Sequence, residues 1–347
     1  MKNKPSVLIV GNFLSKYTGS RFVCEDLAER LLNAGWEVFT TSNKPDHTKR
    51  LFDMLKTVWT RRNQYNVATL DIFTGKSFYG AEVVAFVLRK LGKPYILTLR
   101  GGNLPNFAKK NPGRVFRLFK SAAAVTAPSR YLLEKMKCYR SDLVLIPNPL
   151  DISRYSFKIR SEPHPTLMWL RAYNKYYNAP MALFVAESLL VQYPRIRLMM
   201  AGPDKGDGSF QKTKLLAEKL RVSNSVEFAG IIPKAEVPTW LQKGDIFINT
   251  TNVDNTPISV MEAMACGLCV VSTNVGGIPY LLEDGQNALL IPPDDPEEMA
   301  LAVRRILTEP GLSARLTENA RRQVEQFDWS VVLPKWEGLL EDVIQNS

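Results

Sequence analysis

Twice along the chain, short β-branched apolar runs alternate with segments whose apolar residues recur near every 3.6 positions, a pattern that restricts the fold to parallel βαβ units. In the first half the expected strands are Ser6–Gly11, Trp36–Ser42, Val67–Phe73, Pro94–Gly101, Ala123–Ser129 and Asp142–Pro147. Phe22, Leu27, Leu31 and Leu32 mark a helix that stops before Gly35, a residue suited to a C-terminal cap. The strands are nearly continuous in apolar character, as strands covered on both faces must be. A second alternation follows the polar, proline-bearing stretch SRYSFKIRSEPHP. Its strands are expected at Thr166–Ala172, Ile196–Gly202, Ser225–Gly230, Asp245–Thr250, Cys269–Thr273 and Ala288–Ile291, with helices near Ala179–Tyr193, Ser209–Leu220, Pro257–Cys266 and Pro296–Leu307. Two further helical patterns, Leu312–Gln326 and Val331–Ile344, close the chain. At 347 residues it exceeds the roughly 250 to 300 that one core supports. The expected fold is therefore α/β, with two Rossmann-like doubly wound domains facing a central cleft. Residues 1–150 form the first, 151–165 a linker, 166–327 the second, and 328–347 a helix packing back toward the first. Open α/β sheets bind ligands beyond the carboxyl ends of their strands, so function is sought in that cleft.

Composition narrows the class. No stretch reaches about 18 uncharged apolar residues, and the start, MKNKPSVLIVGNF, runs from charge straight into a strand, unlike a signal peptide. Cys24, Cys138, Cys266 and Cys269 are too sparse for a disulfide framework, so reduced thiols and a cytoplasmic location are expected. The net charge of +11 is uneven: through Glu162 there are 28 Lys+Arg against 12 Asp+Glu, and beyond it 17 against 22. A basic half attracts acidic lipid headgroups, nucleic acid or phosphorylated substrates, or else it serves solubility alone.

Several chemistries are excluded. His47 and His164 are the only histidines, and both read as loop or linker, which removes a histidine triad, a histidine metal site and HExxH chemistry. The chain has no GxGxxG after its first strand, no GxxxxGK[ST] and no GxSxG. The Cys266-Gly-Leu-Cys269 spacing joins a helix end to an apolar strand without a second pair, and reads as buried small-residue packing.

The informative segment is Thr251–Pro279, TNVDNTPISVMEAMACGLCVVSTNVGGIP. Thr256 is placed to cap a helix with Pro257 in its first turn, which would leave the N–H groups of Ile258, Ser259 and Val260 free. Such an end is a preformed anion site suited to a phosphate or diphosphate. Glu262, further along, suits a ribose diol, and Asp254, just ahead, suits the hydroxyls of whatever the diphosphate carries. The alternative is a capped helix whose carboxylates face solvent. A second cluster, Leu170-Arg171-Ala172-Tyr173-Asn174-Lys175, puts two cations at a strand's C-terminal end, where they suit a negative ligand or are merely solvated.

At these residues the chain resembles glycosyltransferase family four, the retaining, GT-B-fold enzymes that use nucleotide-activated sugars. Asp254 to Val271 resembles that family's E-x7-E signature followed by EAMAxGxPVV, with Glu262 as the second acid and Asp254 in the place of the first. Arg171 and Lys175 resemble the pair that clamps the donor diphosphate; Gly202 in MMAGP, VEFAG at Val226–Gly230, GDIFINTT at Gly244–Thr251 and Gly276-Gly277 follow in order. Gly19 ahead of a helix, TLRGG at Thr98–Gly102, APS at Ala127–Ser129 and LIPNPLD at Leu145–Asp151 match weaker patterns. Departures are Asp254 for Glu, Thr256-Pro257 for Phe-Gly, Tyr280 for Glu, and Arg100 for a His near the donor sugar. An arginine there favours an anionic sugar or acceptor, or pairs with a carboxylate; both stay open.

The resemblance implies retaining transfer of a sugar from a UDP- or GDP-type donor, with no cofactor and no obligatory metal. It implies Arg171, Lys175, Asp254 and Glu262 as catalytic, and Gly19, Arg100, Gly202, Asn255, Thr256, Pro257, Ile258, Ser259 and Val260 as donor-binding. The expected partners are the nucleotide-sugar donor, a glycan or lipid-linked acceptor on the basic domain and an anionic membrane surface, but not nucleic acid. Two stretches, Arg50–Arg62 and Pro112–Lys120, combine apolar residues at helical spacing with Lys and Arg, as a membrane-surface helix would. We read the first as core-facing and leave the second open. A non-catalytic binding protein and a sugar-nucleotide epimerase of the same architecture are the competing readings.

Overall fold

The computed structural model describes residues 4–18 and 21–347. It contains two compact units, one of the chain up to Pro149 together with Trp329–Ser347, the other of Leu150–Asp328. The first runs β1 (Ser6–Val10), α1 (Ser15–Thr18), α2 (Val23–Asn33), β2 (Glu37–Thr41), α3 (His47–Thr60), β3 (Val67–Ile72), α4 (Lys76–Lys90), β4 (Tyr95–Leu99), α5 (Leu104–Lys110), α6 (Pro112–Lys120), β5 (Ala124–Ala127), α7 (Arg130–Met136) and β6 (Val144–Leu145). All six strands pair in parallel, in the order β2-β1-β3-β4-β5-β6. The chain passes from β1 out to β2 and then crosses back over β1 to β3, so the strand order reverses at the β1/β3 junction.

In α2, Leu27, Ala28 and Leu31 are buried, and Gly35 takes φ +90° just past the helix end, the left-handed conformation that only glycine adopts cheaply. Leu32, counted with the apolar face, is 59% exposed, since one residue beyond Leu31 is about 100° round the helix. His47, read as loop, is the first residue of α3, which Asp46 caps by accepting from Lys49 N–H. α3 turns Val58 into the core with Leu51, Met54 and Leu55 against it, while Phe52 and Trp59 stay exposed. The alternative left open for Pro112–Lys120 resolves toward the core: Val115, Leu118 and Phe119 are buried, and Phe116 alone of its large apolar residues is exposed.

The second unit runs β7 (Thr166–Leu170), α8 (Ala179–Leu190), β8 (Arg197–Ala201), α9 (Ser209–Lys219), β9 (Val226–Gly230), α10 (Val237–Leu241), β10 (Ile246–Asn249), α11 (Ile258–Cys266), β11 (Cys269–Thr273), β12 (Leu289–Ile291), α12 (Pro296–Thr308) and α13 (Leu312–Glu325). Its sheet is also parallel, ordered β12-β11-β10-β7-β8-β9, and reverses between β7 and β10. The stretch read as linker is packed: Ile152 and Tyr155 join this unit's core, and Arg160 is buried with Nε donating to Asp245 at 2.9 Å. α14 (Trp329–Gln345) belongs to the first unit, where Trp329, Val332, Trp336 and Leu340 pack with Val7, Ile9 and Leu31. Among the described residues no helix is long and apolar enough to cross a membrane. Cys266 and Cys269 are buried free thiols, each pushed up to about 12 by burial.

Candidate active site

In an open parallel sheet, the loops on either side of a reversal splay apart and leave a crevice at the carboxyl ends of the strands. In the second unit these are the loop after β7, which carries Arg171, and the loop after β10, which leads into α11. The two are tied together. Tyr176 carbonyl accepts from Asn252 N–H at 2.7 Å and Tyr177 carbonyl from the Thr250 hydroxyl at 2.8 Å.

Arg171 lies across the N-terminus of α11. Its Nη2 donates to Asp254, its Nη1 lies 3.4 Å from Ser259 Oγ, and its guanidinium stacks 3.9 Å from the Tyr177 ring centre. The remaining nitrogen, Nε, is buried and has no hydrogen-bond partner. An unmatched buried guanidinium N–H is costly without an acceptor. Burial pushes the Asp254 carboxyl up from its ordinary range while the Arg171 charge pulls it down, and Asp254 Oδ1 accepts from Asn255 N–H at 2.8 Å.

The helix itself begins one residue later than its sequence suggests. Pro257, at φ −73° and ψ 116°, is the N-cap, and no side chain caps the helix; Thr256 stands outside it. The first intrahelical bond runs from Met261 N–H to Pro257 carbonyl, so Ile258, Ser259 and Val260 are the three positions whose amides lie ahead of the ladder. Ser259 and Val260 are buried. Glu262, one turn on, is 5% exposed and its Oε1 accepts from the Tyr155 hydroxyl at 2.8 Å; burial pushes its carboxyl up.

Glycine holds the loop in place. A Cβ at Gly202 would sit 1.8 Å from Arg171 carbonyl, and one at Gly277 would sit 1.8 Å from Asn255 carbonyl. Gly202, expected at the donor, thus lies against the backbone that presents Arg171. Lys175 stands outside the Arg171 cluster, exposed, with its ammonium 5.3 Å from the Tyr176 ring. Arg100 belongs to the first unit and takes the pairing alternative: Nε donates to Asp71 at 2.9 Å and Nη1 to Asn148 at 3.1 Å, with Arg100 and Asp71 side chains each 9% exposed. Gly19 lies outside the described residues.

Sequence reading missed Tyr155, Tyr177 and Asp71. An acid near the end of the apolar run Val67–Ile72 was a visible signal for Asp71, whereas Tyr155 sat in a stretch read as linker. Tyr177 carried no signal, because only the loop's path places it under the guanidinium.

Residues 151–323 match the family described as Glycosyl transferases group 1. The chain is similar to phosphatidyl-myo-inositol mannosyltransferase of Mycolicibacterium smegmatis, 27% identical over 57% of this chain and 51% of that protein. It spans between a third and about half the length of the curated relatives that it matches first. In fold it is similar to sucrose-phosphate synthase of Thermosynechococcus elongatus (TM-score 0.81, 16% identity, 99% of this chain and 100% of that one). It is likewise similar to HepE of Anabaena in complex with UDP-glucose (TM-score 0.74, 18% identity, 97% and 100%). By fold the chain is similar to GT-B proteins, and its residues 151–323, just under half of it, match the model of the group 1 glycosyl transferases.

Proposed function

We propose that the protein transfers a sugar from a nucleoside diphosphate sugar of UDP or GDP type to a lipid-linked or glycan acceptor, with retention at the anomeric carbon and without an obligatory metal. The observation that carries this reading is the buried Arg171 Nε, unpartnered at an uncapped helix N-terminus. A diphosphate there would receive that N–H and the amides of Ile258, Ser259 and Val260. In the reaction the bond from anomeric carbon to diphosphate oxygen breaks, the acceptor oxygen bonds to the same face, and the acceptor proton passes to the departing phosphate. No histidine base is required. The barrier falls because fixed donors meet the charge that develops on the leaving oxygen. Asp254 first aims the Arg171 fork and then orients the sugar, Glu262 reads the ribose, and Lys175, on an exposed loop, adds charge when it reaches the diphosphate.

Support for the substrates comes from the relatives: HepE was crystallised with UDP-glucose, and the mycobacterial relative is named for mannosyl transfer to phosphatidyl-myo-inositol. An anionic membrane face as a partner, at the cytoplasmic side, is supported by the exposed Phe52, Trp59, Phe86 and Phe116 beside Lys56, Arg62, Lys90 and Arg117. The test is thermal unfolding with UDP, GDP, ADP and their sugars. The correct nucleotide at 100 times its Kd adds about 2.7 kcal/mol. A folded protein that none of them stabilises would refute the reading.

A further inference from the structure

Residues 150–160 are polar in sequence, yet their backbone is fixed against the second unit at several points. Leu150 N–H donates to Phe327 carbonyl at 2.8 Å, Tyr155 N–H closes a 3₁₀ turn on Ile152 carbonyl at 3.0 Å, and Tyr155 carbonyl accepts from Arg321 Nη1 at 3.1 Å. The same Nη1 donates to Ala265 carbonyl at 2.7 Å, and Arg160 Nη1 donates to Cys266 carbonyl at 2.9 Å, so two guanidinium groups tie this stretch to the last turn of α11. Gly267 lets it lie that close, since a Cβ there would sit 2.3 Å from Lys158 carbonyl. None of these contacts uses the Tyr155 hydroxyl. The Tyr155 ring is buried in one core with Val260, Met261 and Met264 of α11, and its hydroxyl reaches Glu262 Oε1 at 2.8 Å.

Tyr155 is the one side-chain donor to the buried Glu262 carboxylate among the described residues. A carboxylate has about four acceptor sites, so a single donor leaves it under-satisfied. Whatever completes it must bring hydroxyl or N–H donors and no negative charge. Glu262 lies four residues, about 6 Å of helix rise, beyond Ile258, whose amide is among those proposed to hold the diphosphate. A vicinal diol one sugar ring from a phosphate meets both conditions. We propose that Tyr155 is a positioning residue for Glu262: its hydroxyl pins Oε1, and the carboxylate is thereby held in one orientation as an acceptor for both hydroxyls of a nucleotide's ribose. The assignment rests on the sugar-transfer reading, in which Glu262 reads that ribose.

The charges around the pair fit these roles. Burial and the Glu262 charge hold the Tyr155 hydroxyl above the ordinary tyrosine range, so it stays a donor. Burial pushes the Glu262 carboxyl up, while the Tyr155 hydrogen bond and the Lys234 and Arg154 charges pull it down. Cys266, one turn on, is pushed up to about 12 by burial and stays a neutral thiol. Loss of the Tyr155 hydroxyl would leave Lys234 and Arg154 in place and remove one of the groups that keep Glu262 an acceptor.

The experiment measures calorimetric binding of UDP, GDP and ADP, and of the 2′-deoxy form of whichever binds, to the whole protein, Tyr155→Phe, Glu262→Gln and the double variant. The parent is expected to favour the ribonucleotide at least about tenfold. Tyr155→Phe keeps the ring; it is expected to weaken the ribonucleotide about fivefold and to reduce the ribose preference to about twofold. As pH is lowered, its ribonucleotide affinity should begin to fall at a higher pH than the parent's, because a buried carboxyl that has lost a donor takes up its proton sooner. In the Glu262→Gln background the same substitution should change neither the affinity nor the preference, since Tyr155 acts through the carboxylate. A Tyr155→Phe variant that keeps the parent's ribose preference and pH profile, whatever its unfolding midpoint, would overturn the assignment, as would an equal loss in the Glu262→Gln background. A parent that binds the two sugars equally would remove the ribose from Glu262 and Tyr155 alike. If UDP, GDP and ADP all fail to bind the folded parent, the sugar-transfer reading itself falls and takes the assignment with it.

Discussion

In the first unit, at the carboxyl ends of β3 and β4, Arg100 donates from Nε to Asp71 and from Nη1 to Asn148, whereas at the reversal of the second sheet Arg171 reaches Asp254 and Ser259 yet leaves Nε buried with no partner. Both pairs sit at carboxyl ends of parallel strands, and both side chains are about nine-tenths covered. The first arginine is held by the fold through Nε and Nη1. The second is held in position with a donor to spare, beside amides that nothing caps. A buried ion pair is therefore no sign of a ligand site by itself; what supports one at Arg171 is the coincidence of a buried unmet donor with uncapped helix amides.

Three expected outcomes break or sharpen this contrast. Arg171→Ala should retain the fold and lower the rate of sugar transfer by about 3 kcal/mol of transition-state stabilisation, roughly a hundredfold, as loss of one preorganised donor does. Steady-state turnover measures it, and a rate equal to the parent's would remove Arg171 from the mechanism. Arg100→Ala should do the reverse: leaving Asp71 buried and unpaired is expected to cost about 2 to 3 kcal/mol of stability in denaturant unfolding, with nucleotide affinity unchanged. Replacing both partners, Arg100→Met with Asp71→Leu, should recover much of that loss. If Arg100→Ala instead weakens nucleotide binding while stability holds, the pairing is not its role. The smallest effect is on the surface of the basic unit. In flotation with acidic vesicles, Phe52→Ser with Lys56→Ser should reduce binding at low salt by about 1 kcal/mol per charge removed, plus the lost apolar contact. Absence of binding by the parent at low salt would end the membrane proposal.

Much of the fold was legible because strand and helix periods are local properties. All twelve expected strands form; Cys269–Thr273 keeps its bounds, and elsewhere the ends are drawn in by at most two residues where loops take over, as Asp142–Pro147 shrinks to Val144–Leu145. The site was legible in part. The free helix end after Pro257 followed from Pro, the apolar run and Gly267, which takes φ +76° at the C-cap. Its start was misplaced by one residue, since capping depends on whether Thr256 reaches back, and the Gly276-Gly277 turn holds the preceding loop instead. Tyr155 was missed because its partner Glu262 lies 107 positions away.

The order of elements, the parallel sheets and the basic first half are settled by the amino-acid sequence, for they depend on the pattern of neighbours along the chain and on counted charge. Which arginine keeps a buried nitrogen without a partner was decided by tertiary structure. Asp71 lies 29 positions from Arg100 and Asp254 lies 83 from Arg171, so each pair forms only when two strand ends meet across a sheet, and no local pattern records how many of a guanidinium's donors will then find an acceptor.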